Sequence, residues 1–451
     1  MFTPIDPNLL SDLLQVARQA GATDGDAVAV TSVDNEARVR LGQVEQVVRA
    51  EEHAVGVRVF VGQRSATVSG NDLRRASLVA LVQHAVDAAK RMDEDAHSRV
   101  PLPLELGEIT EPLPLHDSAA AAVAVPTLIE WARRAEQAAR DADARITNTE
   151  GADASSGESA VAWVSMGGAL RTRRGSNVGI SVVPIASHAS EMQVDWWADS
   201  RRRLDQLPTP ESIGLRAAQR ALRRLGGRPI PTCTVPVVFE APVASRVLGD
   251  FISGLSGSRV ARGASYLAAR MDTRVTHPSL TLVDDPFLPW GLRSREFDGE
   301  GFASQRTVLV EDGVLRAFLT NLRSASRIGC AHTRSASRGT GGAPGVAATQ
   351  LHMAPGDTDL AGLLRQIGTG LLVTATMGHG TDLVTGTYSQ GATGLWFEGG
   401  EIQFPVNEVT VAGAFDALMQ GIVARADDAD PWRGVSAPSF AVEKLTVAGA
   451  A

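Results

Sequence analysis

The run "MGHGTDLVTGTYSQGATGLWFEGGEIQFPV", Met377–Val406, sets a histidine between two glycines, with an aspartate, hydroxyls and further glycines close behind. Gly394-Leu395-Trp396-Phe397, then Gly399-Gly400, then Glu401–Val406 reads as two strands joined at a glycine pair. Such a pair supplies the left-handed backbone that a two-residue hairpin turn demands. The earlier glycines suit tight turns, or a backbone that must lie close against a neighbour. An extended peptide added to a sheet edge would be such a neighbour, because main-chain pairing needs unobstructed backbone. His379, Asp382 and Ser389 are also the residue types of a hydrolytic triad, but a triad is defined by geometry and not by nearness in sequence.

Working outward, the same alternation recurs through the chain and is interrupted by helical periodicity. Asp6 and Pro7 read as a cap and first turn, with Leu9, Leu10, Leu13, Leu14 and Ala17 on one helical face. Strand-like runs follow at 26–33, 36–42 and 53–61, with a hairpin turn at Gly62-Gln63. Asn71 then reads as the cap of a second helix striped by Leu73, Ala76, Val79, Val82 and Val86. Pro101, Pro103, Pro112 and Pro114 give residues 100–118 the composition of an extended linker. Helices are expected near 126–143 and 211–225, with a hairpin at Gly167-Gly168 between them. A strand at 235–240 leads into a helix with Pro242 in its first turn and Val243, Val247, Leu248, Phe251 and Leu255 as its stripe. Asp312-Gly313 marks a further hairpin.

Strands and helices mix without βαβ alternation, so the fold class is α+β. The expected organisation is an N-terminal α/β sandwich-like domain with an antiparallel sheet, followed by a β-rich C-terminal domain. The boundaries read as 1–115, 116–230 and 231–451.

The 451 residues exceed what one ordinary core accommodates, and 44% hydrophobic with 21% charged residues is a globular balance. A net charge of −8 argues against general nucleic-acid binding, which is driven by phosphate neutralisation. Positive charge is carried almost wholly by arginine, lysine occurring only at Lys90 and Lys444. Cys233 and Cys330 stand far apart, which speaks against a disulfide scaffold and for a reducing compartment. No stretch has the length and apolarity of a membrane span, and the N-terminus lacks a signal-peptide pattern, so no membrane association and a cytoplasmic location are expected. No two histidines fall within a helical turn of each other, and neither GxSxG, GxGxxG nor GxxxxGK[ST] occurs.

Beyond single motifs, the glycine-rich stretch resembles the C-terminal signature of the TldD/PmbA family, in particular its TldE-like (PmbA) branch. "GVRVFVGQRSATVSGNDL" (56–73) is similar to that family's N-terminal hairpin. "FISGLSGSRVARGASYL" (251–267), the long run 297–329 and "SFAVEKLTVAG" (439–449) resemble three later segments in the same order. The resemblance covers nearly the whole chain. It implies a subunit of a two-chain metallopeptidase in which unfolded peptide is threaded between the chains. The TldD-like subunit bears HExxxH on its central helix and a cysteine near its C-terminus, which together hold a metal, zinc being the expected ion. Here the matching segments are Glu240–Phe251, without a histidine, and Pro431–Phe440, without a cysteine. The resemblance therefore implies a chain with no catalytic residue, no metal ligand and no cofactor of its own, paired with an HExxxH-bearing TldD-like subunit. His379, Thr381, Tyr388 and Ser389 are the candidate contacts to an extended peptide. Open alternatives are a stand-alone peptide-binding or regulatory protein, a homodimer when the partner is absent, and an independent hydrolase on His379, Asp382 and Ser389.

Overall fold

The computed structural model describes residues 2–110 and 112–449. Helix α1 (Pro7–Gln19) starts as its sequence dictates: Asp6 Oδ1 accepts from the Asn8 N–H at 2.9 Å, and Pro7 sits where no donor is needed. Strands β1 (Asp24–Arg40), β2 (Gln43–Val61) and β3 (Arg64–Gly70) form an antiparallel meander that turns at Gly62-Gln63 as expected. The runs 26–33 and 36–42 are one strand, since Asp34 and Asn35 stay in register opposite Ala50 and Arg49. Helix α2 (Arg75–Ala89) begins later than Asn71 would place it. The N-cap is Arg74, without a side-chain cap bond, and the nearby Asp72 carboxylate accepts from the Arg74 N–H and the Ser77 hydroxyl.

Next come α3 (Val125–Asp141), β4 (Ile146–Ser165), β5 (Leu170–His188), β6 (Glu191–Val194), β7 (Trp197–Arg201) and α4 (Pro210–Leu222). β4 pairs along β1, so residues before and after 115 share one seven-stranded sheet, in the order β3-β2-β1-β4-β5-β6 with β7 also on β5. Residues 100–110 and 112–115 are a strap and not a free linker: Val100, Leu106 and Leu115 are buried, and Leu106 packs with Trp163, Phe297 and Phe302.

The pleat assigns the two faces of this sheet. Ala27, Ala29, Ala37 and Val39, all at alternate positions of β1, meet the stripes of α1 and α2 at one end and of α3 and α4 at the other. Asp26 and Trp163 point the opposite way, toward residues 297–302 and 338 of the C-terminal half.

That half opens with β8 (Cys233–Phe239) and α5 (Ala241–Gly254). The hairpin of β9 (Thr307–Glu311) and β10 (Val314–Leu315) turns at Asp312 and Gly313, both at positive φ. β11 (Gly370–Met377), β12 (Thr387–Glu398), β13 (Glu401–Ala414) and β14 (Phe440–Ala448) complete it. Gly399 and Gly400, at φ +58° and +84°, make the β12–β13 turn read from the sequence. β11-β8-β14-β13-β12 pair in sequence, and β12 pairs back to β11, closing a ring of five strands. The α5 stripe of Val243, Val247, Leu248, Phe251 and Leu255 shares one core with Phe239, Val373, Tyr388 and Phe440 from this ring. Each such side chain contributes on the order of 1.5–3 kcal/mol by leaving water.

Candidate functional site at helix α5

Helix α5 is anchored at its first residue and decorated along its polar side. Its N-cap, Glu240, receives Arg223 at 2.7 Å and Arg220 at 2.9 Å, both from the α4 region. Burial alone would raise the Glu240 carboxyl, but the two guanidinium groups hold it below the ordinary range. Further along, Arg246 donates to the Gly378 carbonyl at 2.6 Å, and Asp250 accepts from the Thr381 hydroxyl at 2.7 Å. The loop that follows β11 is thereby tied to the helix.

Gly380 lets the loop fold back onto β12. Its carbonyl accepts from the Ser389 N–H at 2.8 Å, and a Cβ there would stand 1.7 Å from the Ser389 carbonyl oxygen. His379 and Ser389 are exposed, and neither side chain has a hydrogen-bond partner among the described residues. Thr381 is half-buried because its hydroxyl is held by Asp250. Tyr388 corrects the sequence reading. It is 1% exposed, its ring stacked on Phe415 with centroids 5.8 Å apart, because alternation along β12 turns it into the core while Ser389 faces out. No peptide reaches it in this conformation. The Asp382 carboxylate accepts from the Val384 and Thr385 N–H groups within its own turn, and no hydrogen bond joins His379, Asp382 and Ser389. The triad is not assembled.

At the start of α5 lies a cavity of about 330 Å³ whose walls include Trp197, Arg201, Arg216, Asp430, Arg433 and Ser436. The stretch 428–439 is stitched to the first turn of α5. The Asp428 carboxylate accepts from the Ser439 N–H and hydroxyl, Ser439 Oγ accepts from the Ala241 N–H, and Ser245 Oγ accepts from the Ala437 N–H. The two segments that the family resemblance marks as metal-ligand positions thus face each other here. The donor set does not fit a zinc ion, which takes imidazole nitrogen and thiolate sulfur with supporting carboxylates. No histidine or cysteine lines the cavity. Asp199 is engaged by Trp197 Nε1 at 3.1 Å and Arg201 at 2.8 Å, and the Arg216 guanidinium lies 3.6 Å from the Trp197 ring centroid.

One cluster escaped the sequence reading. Asp298, Glu300 and His332 bring ligand-type atoms within 4.8 Å of one another at the contact between the sheet and the C-terminal half. The acidic "DGEG" flanked by Phe297 and Phe302 was its only sequence signal. Asp298 already accepts from the Glu300, Phe302 and Ala336 N–H groups, and Glu300 from the Leu322 N–H. Arg58 and Arg338 stand beside them, both paired to the fully buried Asp26 at 2.6 and 2.7 Å. With the carboxylates so engaged and guanidinium charge alongside, the cluster fits an ion network between layers. Burial, reinforced by Asp298, raises Glu300 to about 7, while burial lowers His332 to about 4.

Comparison with known proteins agrees with this architecture. Family models match residues 25–89 as PmbA/TldA metallopeptidase domain 1, 119–225 as the central domain and 232–449 as the C-terminal domain. The chain is 32% identical over 441 residues to the metalloprotease PmbA of Escherichia coli, covering 98% of this chain and 95% of that one. It is 31% identical to the PmbA homolog of Haemophilus influenzae, with the same two coverages. Its fold superposes on TldE from Thermococcus kodakarensis with a TM-score of 0.87 at 20% identity, spanning 98% of this chain and all of the other. By its sequence over nearly its full length, the chain belongs to the PmbA/TldD family of metalloprotease-like proteins.

Proposed function

We propose that this chain is the TldE-like subunit of a two-chain metallopeptidase, without a metal of its own, acting in the cytoplasm. In this reading a TldD-like subunit bearing HExxxH holds the ion, zinc by expectation, and cuts extended peptides. The present chain forms part of the channel wall. The observation that carries the reading is the cavity between α5 and residues 431–437, where arginine and tryptophan stand in place of imidazole and thiolate. No His-Glu pair occurs anywhere in the sequence. The loop 377–389, with His379 and Ser389 exposed and Thr381 half-buried beside them, is the candidate peptide contact.

Purifying the tagged chain from its own host tests this. A stoichiometric HExxxH-bearing companion, with chelator-sensitive peptidase activity present in the pair and missing from either chain alone, is the expected result. A chain that returns alone or only with itself defeats the heteromer. It would favour a stand-alone peptide-binding or regulatory protein.

A further inference from the structure

Beneath residues 113–117, between the free edge of β5 and the C-terminal half, lies a second cavity of about 410 Å³. Five arginines line it, Arg173, Arg174, Arg202, Arg293 and Arg295, and among the described residues no aspartate or glutamate does. In a chain of net charge −8 this is an abrupt local reversal. Among the described residues, only Arg174 has a carboxylate within 4 Å, Glu158 at 2.5 Å. Arg202 donates from each of its three guanidinium nitrogens to a carbonyl, of Gly291, Leu115 and Leu292, which orients the group without neutralising it. Arg295 donates to two carbonyls and leaves a buried Nε without a partner. Arg173 and Arg293 have neither a side-chain hydrogen bond nor an ion pair within 4 Å among the described residues, Arg173 meeting only the Phe297 ring at 5.4 Å. Burial pushes Arg202 and Arg173 down to about 10, and for Arg173 the like charges of Arg295 and Arg202 add to burial, against smaller opposing contributions from Glu296 and Asp298. Grouped cationic charge short of an anion is the condition that a bound anion relieves.

The neighbouring space says which kind of anion. A cavity of about 560 Å³, lined by apolar Ile5, Ala29, Ala162 and Leu113 and also by His116 and the Glu296 carboxylate, shares Leu115, Val161, Arg173 and Arg174 with the first. A ligand filling both presents an apolar body beside an anionic group.

We propose that the paired cavities form a binding site for a peptide that carries a carboxylate next to an apolar side chain, the carboxylate lying among Arg173, Arg202, Arg293 and Arg295. This rests on the peptide reading above and adds a preference to it. Guanidinium forks match a carboxylate in two parallel hydrogen bonds, which makes such a cluster selective as well as attractive.

The test is fluorescence anisotropy on the purified full-length chain with three labelled hexapeptides of alternating alanine and leucine. One ends in a free carboxylate, one in an amide, and one is amidated with glutamate as its last residue. Tighter binding of the free acid than of the amide, by about tenfold or more, is expected for charge-assisted hydrogen bonds to a desolvated carboxylate. Recovery with the glutamate peptide assigns the site to side-chain carboxylates as well; no recovery assigns it to the peptide terminus. Arg293→Ala and Arg173→Met should each bring the acid peptide to the amide's affinity and leave the amide unchanged. R173M should melt no lower than wild type, since it removes a charge without a counter-ion. Should it fail to fold, R293A at the open side carries the binding test. Equal affinity for all three peptides overturns the proposal, as does displacement of the acid peptide by an equal concentration of inorganic phosphate. Co-purification of an HExxxH chain is independent of these readouts, so losing the carboxylate preference and losing the heteromer are distinguishable.

Discussion

At the scale of single residues, Glu300 concentrates the chemistry of the layer contact. Its carboxyl is raised from 4.5 to about 7 by burial, with Asp298 and Asp26 adding to the shift against Arg58. A raised carboxyl favours the folded state while protonated. That contribution is full below about pH 4.5 and is lost as pH climbs through about 7. Glu300→Gln keeps an acceptor for the Leu322 N–H and removes the titration. It should match wild type in melting temperature at pH 5 and exceed it by roughly 2–4 °C at pH 8. A Gln variant that loses stability equally at both pH values would show that the hydrogen-bond geometry matters and the charge does not. Legibility from sequence was uneven at this scale. Ser389 and Tyr388 are adjacent polar-capable residues in a glycine-rich run, and only the register of β12 decides that one faces out and the other into the core. The five-arginine cavity draws on positions from 173 to 295 that no linear pattern unites.

At the scale of elements, α5 and the loop after β11 act as a unit. Gly380→Ala places a Cβ 1.7 Å from the Ser389 carbonyl oxygen, so the loop must lift from β12 and release the Thr381–Asp250 bond. Hydrogen exchange at Ser389, whose N–H is held by Gly380, should rise in that variant while exchange across β8 stays the same. Under the proposed function, H379A with S389A should raise KM for peptide in the reconstituted pair severalfold and leave chelator sensitivity as it was; unchanged kinetics would remove the loop from the channel wall. The elements most readable in advance carried local chemistry: the Asp6-Pro7 start of α1, the α5 stripe, and the Asp312-Gly313 and Gly399-Gly400 turns. The proline-rich run around Pro101 and Pro103 reads as a linker and folds as a strap for a physical reason. Prolines specify an extended backbone, and an extended backbone serves a buried strap as well as a linker.

At the scale of the whole molecule, a fully buried carboxylate, Asp26, bridges the sheet and the C-terminal half. Asp26 is held at about 2 against burial by Arg338 and Arg58, which approach it from the two sides of that contact. Asp26→Asn leaves two guanidinium groups buried without their counter-charge and should cost about 3–5 kcal/mol in urea unfolding. A loss under 1 kcal/mol would mean that water or Glu300 takes over the role. The α+β class and the β-rich C-terminal half followed from local patterns. The shared sheet did not, because alternation along β1 tells which side chains share a face but not that β4, more than a hundred residues later, is the partner.

The closed ring of strands has a consequence for biosynthesis. β8 lies between β11 and β14, so both of its edges wait for segments made more than 130 residues afterwards. At elongation rates of about 5–20 residues per second, the roughly 200 residues from β8 to β14 take roughly 10–40 s, with a strand edge open in a crowded cell. Until Phe440–Ala448 has left the ribosome the ring cannot shut. A nascent chain stalled short of it presents a ready template for pairing with other chains. Ribosome-associated chaperones should therefore bind this protein late in its translation, over its second half, and a version truncated before residue 440 should partition into inclusion bodies.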